Sequence, residues 1–448
     1  MDRSHIDTSA KALFHLSWPI FIELMLQLLV GNMDQVQLSH FNGTAVAAVG
    51  NANQVINVII LLFNIICLAS MIMVTQYRGA NDLRSVNQIY ALSLVVNLVV
   101  SVLMAGLLLL FSNPLLTLMQ VPADVIPEAR IYLCIAAAAL PFQALMMTFS
   151  AFLRAGAHMK AIMMITGLVN VCNILGNAVL INGFGPLPRL GAAGAALSSS
   201  IFRIVGFLLM ARAFFAATPE AKITPDALRP FPKHLLRRLL AIGVPSGGES
   251  LSYNLSQMSC LVFVNLMGTA VVTTRVYAVM FANCIYMLIS AVSQAGQILI
   301  GYLVGARRLD EVSACNWRIL KTFGPVTVGI SALMYLFAEP LFGLFSSDPA
   351  VLALGRQVLF IEIFLEIGRS VNIVLVRNLQ AVGDVKFPVI LGIFSQWIVA
   401  VGLGYLLGVV FDMGLAGLWI AFAVDENLRG AILIARWHSG KWRKMRTI

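Results

Sequence analysis

Apolar runs long enough to cross a bilayer recur from one end of this chain to the other. Ala91 to Phe111 and Val389 to Phe411 are two of them, each matching the ~20 residues that a spanning helix needs. One water-soluble core cannot hide so many such runs. Only 11% of the 448 residues are charged and 59% are hydrophobic, against about 25% charged in a soluble domain. Lipid is the solvent, and in lipid a spanning segment must satisfy its own backbone hydrogen bonds. The expected class is an all-α polytopic membrane protein.

Polar breaks and Gly/Pro punctuation predict twelve helices, near residues 14–39, 46–75, 88–111, 128–152, 160–182, 190–214, 237–266, 270–303, 318–338, 352–379, 387–411 and 414–437. The first run, Phe14 to Val30, continues through Asp34 without a small-residue cleavage site, so it reads as helix one rather than a secretory signal. The net charge of +10 comes from Lys and Arg lying between apolar runs, as the positive-inside rule predicts for cytoplasmic loops. It therefore points away from nucleic acid. Arg130, Arg189 and Arg356 are the only external candidates in loops or at helix ends, which puts both termini in the cytoplasm. The six cysteines are scattered singly, with no metal or disulfide spacing.

Sliding the chain against itself by 226 residues pairs Pro19 with Pro245, Glu23 with Glu249, Gly79 with Gly305, Pro114 with Pro340, Arg130 with Arg356, Ala155 with Ala381 and Lys160 with Lys386. A small change of register pairs Gly191-x-x-Gly194 with Gly414-x-x-Gly417. The chain is a duplication. Six helices per copy make both copies enter from the same side, so the repeats are parallel and the substrate path runs between them. The expected domains are an N-terminal six-helix lobe over 1–215, a cytoplasmic linker over 216–236, a C-terminal lobe over 237–437 and a basic cytoplasmic tail over 438–448.

Pro19, Gln27, Asp34 and Ala47-Ala48-Val49 resemble the opening signature of the MATE (multidrug and toxic compound extrusion) family. Gln380-Ala381-Val382-Gly383-Asp384-Val385-Lys386 resembles that family's R-A-x-G-D-T-K motif. Arg154-Ala155-x-x-x-x-Lys160 is a degenerate copy, with Ala157 and His158 where Gly and Asp are usual. Asn173-x-x-x-Asn177 and Gly194-Ala195-Ala196-Leu197-Ser198-Ser199 fit the same pattern. The resemblance covers essentially the whole chain and implies V-shaped lobes and an efflux antiporter driven by Na⁺ or H⁺.

An ionisable group inside a spanning helix costs at least a few kcal/mol, so each is a functional candidate, with structural pairing as the alternative. Asp34 lies about 30 Å along helix one, and Asn173 and Asn177 about 20 to 26 Å into helix five, at ~1.5 Å per residue. Ser199 reaches a similar depth from the other side. The i, i+4 spacing of Asn173 and Asn177 puts both amides on one face. A carboxylate, two amide carbonyls and a hydroxyl suit Na⁺, and a partly desolvated carboxylate suits a proton. In MATE relatives the matching positions bind the coupling ion, which the resemblance carries onto Asp34, Asn173, Asn177 and Ser199, with Asp34 as a candidate Na⁺ ligand. A purely structural polar cluster is the other reading. The duplicate of Asp34 is Cys260, so Asp34 belongs to one repeat only.

Glu23 and Glu249, each four residues after a proline, suggest a shared role in bonding backbone groups that the prolines leave free. Both are in addition candidates for binding a ligand or a proton, Glu249 ahead of Glu23. A second cluster holds Glu362, Glu366 and Arg369 in helix ten with Asp425, Glu426 and Arg429 in helix twelve. It reads equally as a substrate or charge-relay site and as a self-neutralising structural network. Many relatives carry Asp where Arg369 falls, so no drug-binding acid transfers to that position, and Glu366 is the nearest substitute. Tyr253, Tyr277, Phe281 and Tyr286 are candidate pocket aromatics, with plain packing the commoner fate.

The reading that follows is a membrane antiporter, monomeric, in the cell (inner) membrane. It exports amphipathic organic molecules, cations foremost, in exchange for Na⁺ or H⁺ and needs no other cofactor. The alternative is a flippase for lipid-linked precursors. An enzyme is disfavoured: H-E-x-x-H, G-x-S-x-G and the phosphate-binding G-x-x-x-x-G-K-[ST] are all missing.

Overall fold

The computed structural model describes residues 7–39, 41, 43–183 and 188–445. The side chains of Gly31, Asn32, Asp34, Gln35, Val36 and Pro225 lie outside that description. The chain runs α1 (Ala10–Ser39), α2 (Gly43–Gly79), α3 (Leu83–Leu118), α4 (Ile126–Ala138), α5 (Leu140–Ala155), α6 (Met159–Asn182) and α7 (Gly191–Ala217). After a short turn it continues as α8 (Lys233–Asn265), α9 (Thr269–Gly305), α10 (Leu309–Leu336), the one-turn α11 (Ala338–Gly343), α12 (Pro349–Ala381), α13 (Lys386–Ser395) and α14 (Gly414–His438). Beyond α13 the helix is wound wider, as π turns over Gln396–Leu403 and Leu406–Val410. No strand occurs among the described residues.

Eight of these helices are long and apolar enough to cross a membrane, and nine if the bent pair α4–α5 is one span. The other three long helices, α8, α12 and α14, carry charged or polar side chains along their length. With them the described residues hold the twelve expected spans. The fourth, expected as one helix over 128–152, is broken in two: it bends by 49° between α4 and α5. Pro141 sits in the first turn of α5, where it removes a backbone donor and clashes with the preceding turn.

The chain divides into two compact units. Of the described residues, unit 1 holds those within 22–78 and 82–243, and unit 2 those within 7–21, 79–81 and 244–445. In unit 1, α7 packs against α4, α5 and α6, and α3 against α4 and α5; in unit 2, α12 packs against α9, α10 and α14. Phe63, Leu133 and Leu140 lie in the core of unit 1, and Phe342, Leu365 and Trp419 in that of unit 2. Leu103, Leu110 and Leu118 stay largely exposed, as lipid-facing side chains do.

The 226-residue step is visible as geometry. Asn81 and Arg307 both take left-handed conformations, with φ of 62° and 60°, at the turns into α3 and α10. Ala157 (φ 62°) and Gly383 (φ 89°) do the same at the turns into α6 and α13. The helix breaks at Phe111 and again at Phe337, each three residues before the duplicated prolines Pro114 and Pro340. Gly194 and Gly417 mark equivalent crossings. A Cβ at Gly194 would lie 2.3 Å from the Leu180 carbonyl oxygen, and one at Gly417 would lie 2.7 Å from the Leu407 carbonyl carbon. Small residues let backbones meet this closely in membrane proteins.

Candidate functional site

In unit 1 two helices bring buried amides and hydroxyls together. Asn173, buried on α6, donates from Nδ2 to Ser199 Oγ at 3.3 Å and to Ser198 Oγ at 3.5 Å. Ser198 Oγ in turn donates to the Asn173 carbonyl at 3.2 Å. A Cβ at Gly176 would lie 2.6 Å from Ser198 Oγ, so the glycine lets α7 seat its serines against α6. Asn177 is buried one turn along α6. Asp34 lies on α1, and its side chain is among those outside the description. Gln37, one turn further along α1, donates from Nε2 to the Ile174 carbonyl at 3.1 Å. That bond ties α1 to α6 between Asn173 and Asn177. Gln37 did not emerge from the sequence, and Ser198 stood there only as part of the Gly194–Ser199 motif with no role of its own; both bond main-chain carbonyls, which no residue spacing signals.

Glu23 and Glu249 do not share the role expected of them. Glu23 is buried on α1 and accepts from Arg154 Nη2 at 2.6 Å and from Gln27 Nε2 at 3.3 Å. Its partner is a guanidinium of the degenerate motif copy, not backbone freed by Pro19. Position 380, the duplicate of Arg154, is glutamine. Gln380 accepts from Gln297 Nε2 and donates to Ser246 Oγ, both at 3.4 Å.

Unit 2 carries the charge cluster as two ion-paired strips. On α12, Arg369 Nη1 donates to Glu362 Oε1 at 2.8 Å and to Glu366, one turn away. On α14, Arg429 Nη2 donates to Asp425 Oδ2 at 2.7 Å and to Glu426 Oε1 at 2.8 Å. Each arginine neutralises acids of its own helix. Neutral donors link the strips to their neighbours: Trp419 Nε1 to Glu362 Oε2 at 2.7 Å, Asn372 Nδ2 to Glu426 Oε2 at 2.6 Å and Ser395 to Asp425. Gly368 makes this possible, because a Cβ there would lie 2.4 Å from the Asn427 backbone nitrogen. The α12–α14 crossing is therefore too close for any side chain at that point. Four carboxyl groups face two guanidiniums, so acids outnumber bases in the strips. Glu366 keeps one fully buried oxygen, Oε2, without a partner.

Glu249 stands apart from this network. Among the described residues it makes no hydrogen bond and no ion pair. Its carboxylate lies against α13 at Gly392, where a Cβ would come within 2.9 Å of Oε1. Arg377, Arg429 and Glu426 reach it only through space. Of the four aromatics singled out, Phe281 is buried against Phe342, with ring centroids 5.4 Å apart, and Tyr277 stacks on Phe345 at 5.0 Å. Tyr253 and Tyr286 are exposed. No cluster of three or more His, Cys, Asp or Glu able to hold a metal occurs among the described residues.

A model of the MatE family matches residues 19–179 and 245–406, two stretches that begin on the duplicated prolines Pro19 and Pro245. The uncharacterized transporter YisQ of Bacillus subtilis (strain 168) is 36% identical over 432 residues, spanning 96% of this chain and 94% of its own length. A probable multidrug resistance protein NorM of Thermotoga maritima is 25% identical over 459 residues, 99% of this chain and 95% of its own. The crystal structure of the Vibrio cholerae MATE transporter VcmN in the bent form has the same fold, with a TM-score of 0.88 at 22% identity over 97% of each chain. With both repeats matched by the family model and a relative above one-third identity over nearly its full length, this chain belongs to the MatE family.

Proposed function

We propose that the protein is a secondary active efflux antiporter that exports amphipathic organic molecules, cations foremost, in exchange for Na⁺ or H⁺. The multidrug-resistance and transporter names of its relatives support that class over the lipid-linked flippase. It works without catalytic chemistry or a cofactor beyond the coupling ion, as a monomer in the cell membrane with both termini cytoplasmic.

The observation that carries the cargo reading is Glu249. A carboxylate in a spanning helix with no bonded counter-charge is costly, and a bound cation removes that cost. The strips around Glu366, Arg369, Asp425 and Arg429 hold their acids in fixed ion pairs and act as a charged wall that sets the field at Glu249 rather than receiving cargo. The coupling ion belongs to unit 1, on Asp34 with Asn173, Asn177 and Ser199. The hydrogen bonds that join Asn173 to Ser198 and Ser199, and α1 to α6 through Gln37, support this placement.

Purified protein in proteoliposomes, given a Na⁺ gradient and a pH gradient separately, tests both halves of the proposal. One gradient should drive export of a fluorescent organic cation, and Asp34→Asn should abolish that drive while leaving cation binding in place. Full ion-driven export by Asp34→Asn would remove Asp34 from the coupling site. Unaltered cation binding by Glu249→Gln would remove Glu249 from the cargo site.

A further inference from the structure

The two repeats place a glutamate at the same point, four residues after the proline of α1 and of α8, and treat it in opposite ways. In the first repeat Glu23 is closed by Arg154, with 2.6 Å between Nη2 and Oε1. In the second repeat the equivalent of Arg154 is Gln380, and Glu249 has no bonded partner among the described residues. The scaffold around the two positions is otherwise conserved: each glutamate lies on a proline-containing helix, and positions 154 and 380 both lie in the last turn of their helices.

We infer that Gln380 is the specificity-determining residue of the cation site: by standing where the first repeat has an arginine, it leaves Glu249 open to a positively charged ligand. The inference rests on the reading of Glu249 as the acid that meets the cargo. Gln380 is placed for this role. Its Nε2 reaches Ser246 Oγ, and Ser246 lies three residues before Glu249 on α8, so position 380 faces the helix one turn from the carboxylate. A guanidinium extends further than an amide and offers donors in a fork matched to a carboxylate. At the equivalent position Arg154 spans that reach and bonds Glu23. The other cations near Glu249 do not substitute for it: Arg429 is held by Asp425 and Glu426, and Arg377 acts on Glu249 only through space.

The test uses full-length protein in lipid nanodiscs and tetraphenylphosphonium, a permanent organic cation, as the probe. Gln380→Arg should weaken tetraphenylphosphonium binding at least ten-fold, as should Glu249→Gln. The double variant should be no weaker than either single one, because an arginine at 380 acts only by closing Glu249. Gln380→Lys repeats the test if the arginine variant does not fold. Loss of binding in Glu249→Gln with wild-type binding in Gln380→Arg overturns this inference and leaves the cargo reading standing. Wild-type binding in Glu249→Gln overturns both. Losses that add in the double variant show that position 380 acts elsewhere, and they too overturn the inference.

Discussion

Asn378 Nδ2 donates to Asn316 Oδ1 at 2.7 Å, between the two positions that, 226 residues earlier, are occupied by Tyr90 and Phe152 with ring centroids 4.5 Å apart. The same contact between the third and fourth helices of each repeat is made once by two buried amides and once by two aromatic rings. A second pair behaves alike. Ser70 and Ser93 share a 2.6 Å hydrogen bond, while their duplicates Gly296 and Ile319 fit by size, the isoleucine filling the space that a Cβ at 296 would take. The duplicated backbone keeps its contacts and exchanges their chemistry.

The amide pair gives a prediction about stability. Asn378→Leu leaves the Asn316 amide buried without its partner and should cost about 1 to 3 kcal/mol. Asn316→Leu/Asn378→Leu, which removes both polar groups, should recover most of that. Thermal unfolding of the detergent-purified variants would show the double variant melting above the single one.

Ala157 holds a left-handed conformation in the degenerate motif copy, where the second copy has Gly383. A Cβ in that region costs about 1 to 2 kcal/mol. Ala157→Gly should therefore raise the melting temperature, and Gly383→Ala should lower it.

The Glu23–Arg154 bridge is mostly shielded, with side-chain exposures of 4% and 17%. Arg154→Gln strands a buried carboxylate and should destabilise unit 1 by about 3 kcal/mol or more. Adding Glu23→Gln should reverse the greater part of the loss. If the two single losses simply sum in the double variant, the bridge is not the source of either.

His158 replaces the Asp384 of the other copy at the start of α6. Burial first, and then the neighbouring Arg78 guanidinium, push the imidazole below its ordinary value of 6.5. The folded protein holds it neutral, so protonation favours the unfolded chain. The associated stability is complete above pH 6.5 and declines as pH falls through the lower folded value. His158→Asn, which supplies a helix-capping side chain without a titrating group, should flatten this decline. Melting curves between pH 7.5 and about 5, a window set by the ordinary histidine value, should converge if His158 plays no part.

Hydropathy and duplication alone were enough to read the twelve spans and the 226-residue repeat, because both properties are written along the chain: apolar length decides what crosses lipid, and identical residues at a constant step reveal a copied scaffold. Gly383, Gly194 and Gly417 stood out in the sequence only as repeat and motif positions; that Gly383 takes a left-handed turn and that the other two mark close crossings came from the structure. Asn173 and Ser199 could be singled out by their pattern, but the roles of Ser198, present only as a motif member, and of Gln37 could not, because their partners include main-chain carbonyls that every sequence has. The Glu366–Arg369 pair follows from its i, i+3 spacing, but the other charge pairings were decided by the tertiary structure. Glu23 meets Arg154 across 131 positions, while Arg369 and Arg429 turn to acids of their own helices although other carboxylates lie within electrostatic reach. Sequence distance does not determine which of several available partners a long side chain takes in a low-dielectric interior; the helix crossings do, by fixing which groups come within hydrogen-bond reach and which, like Glu249, do not.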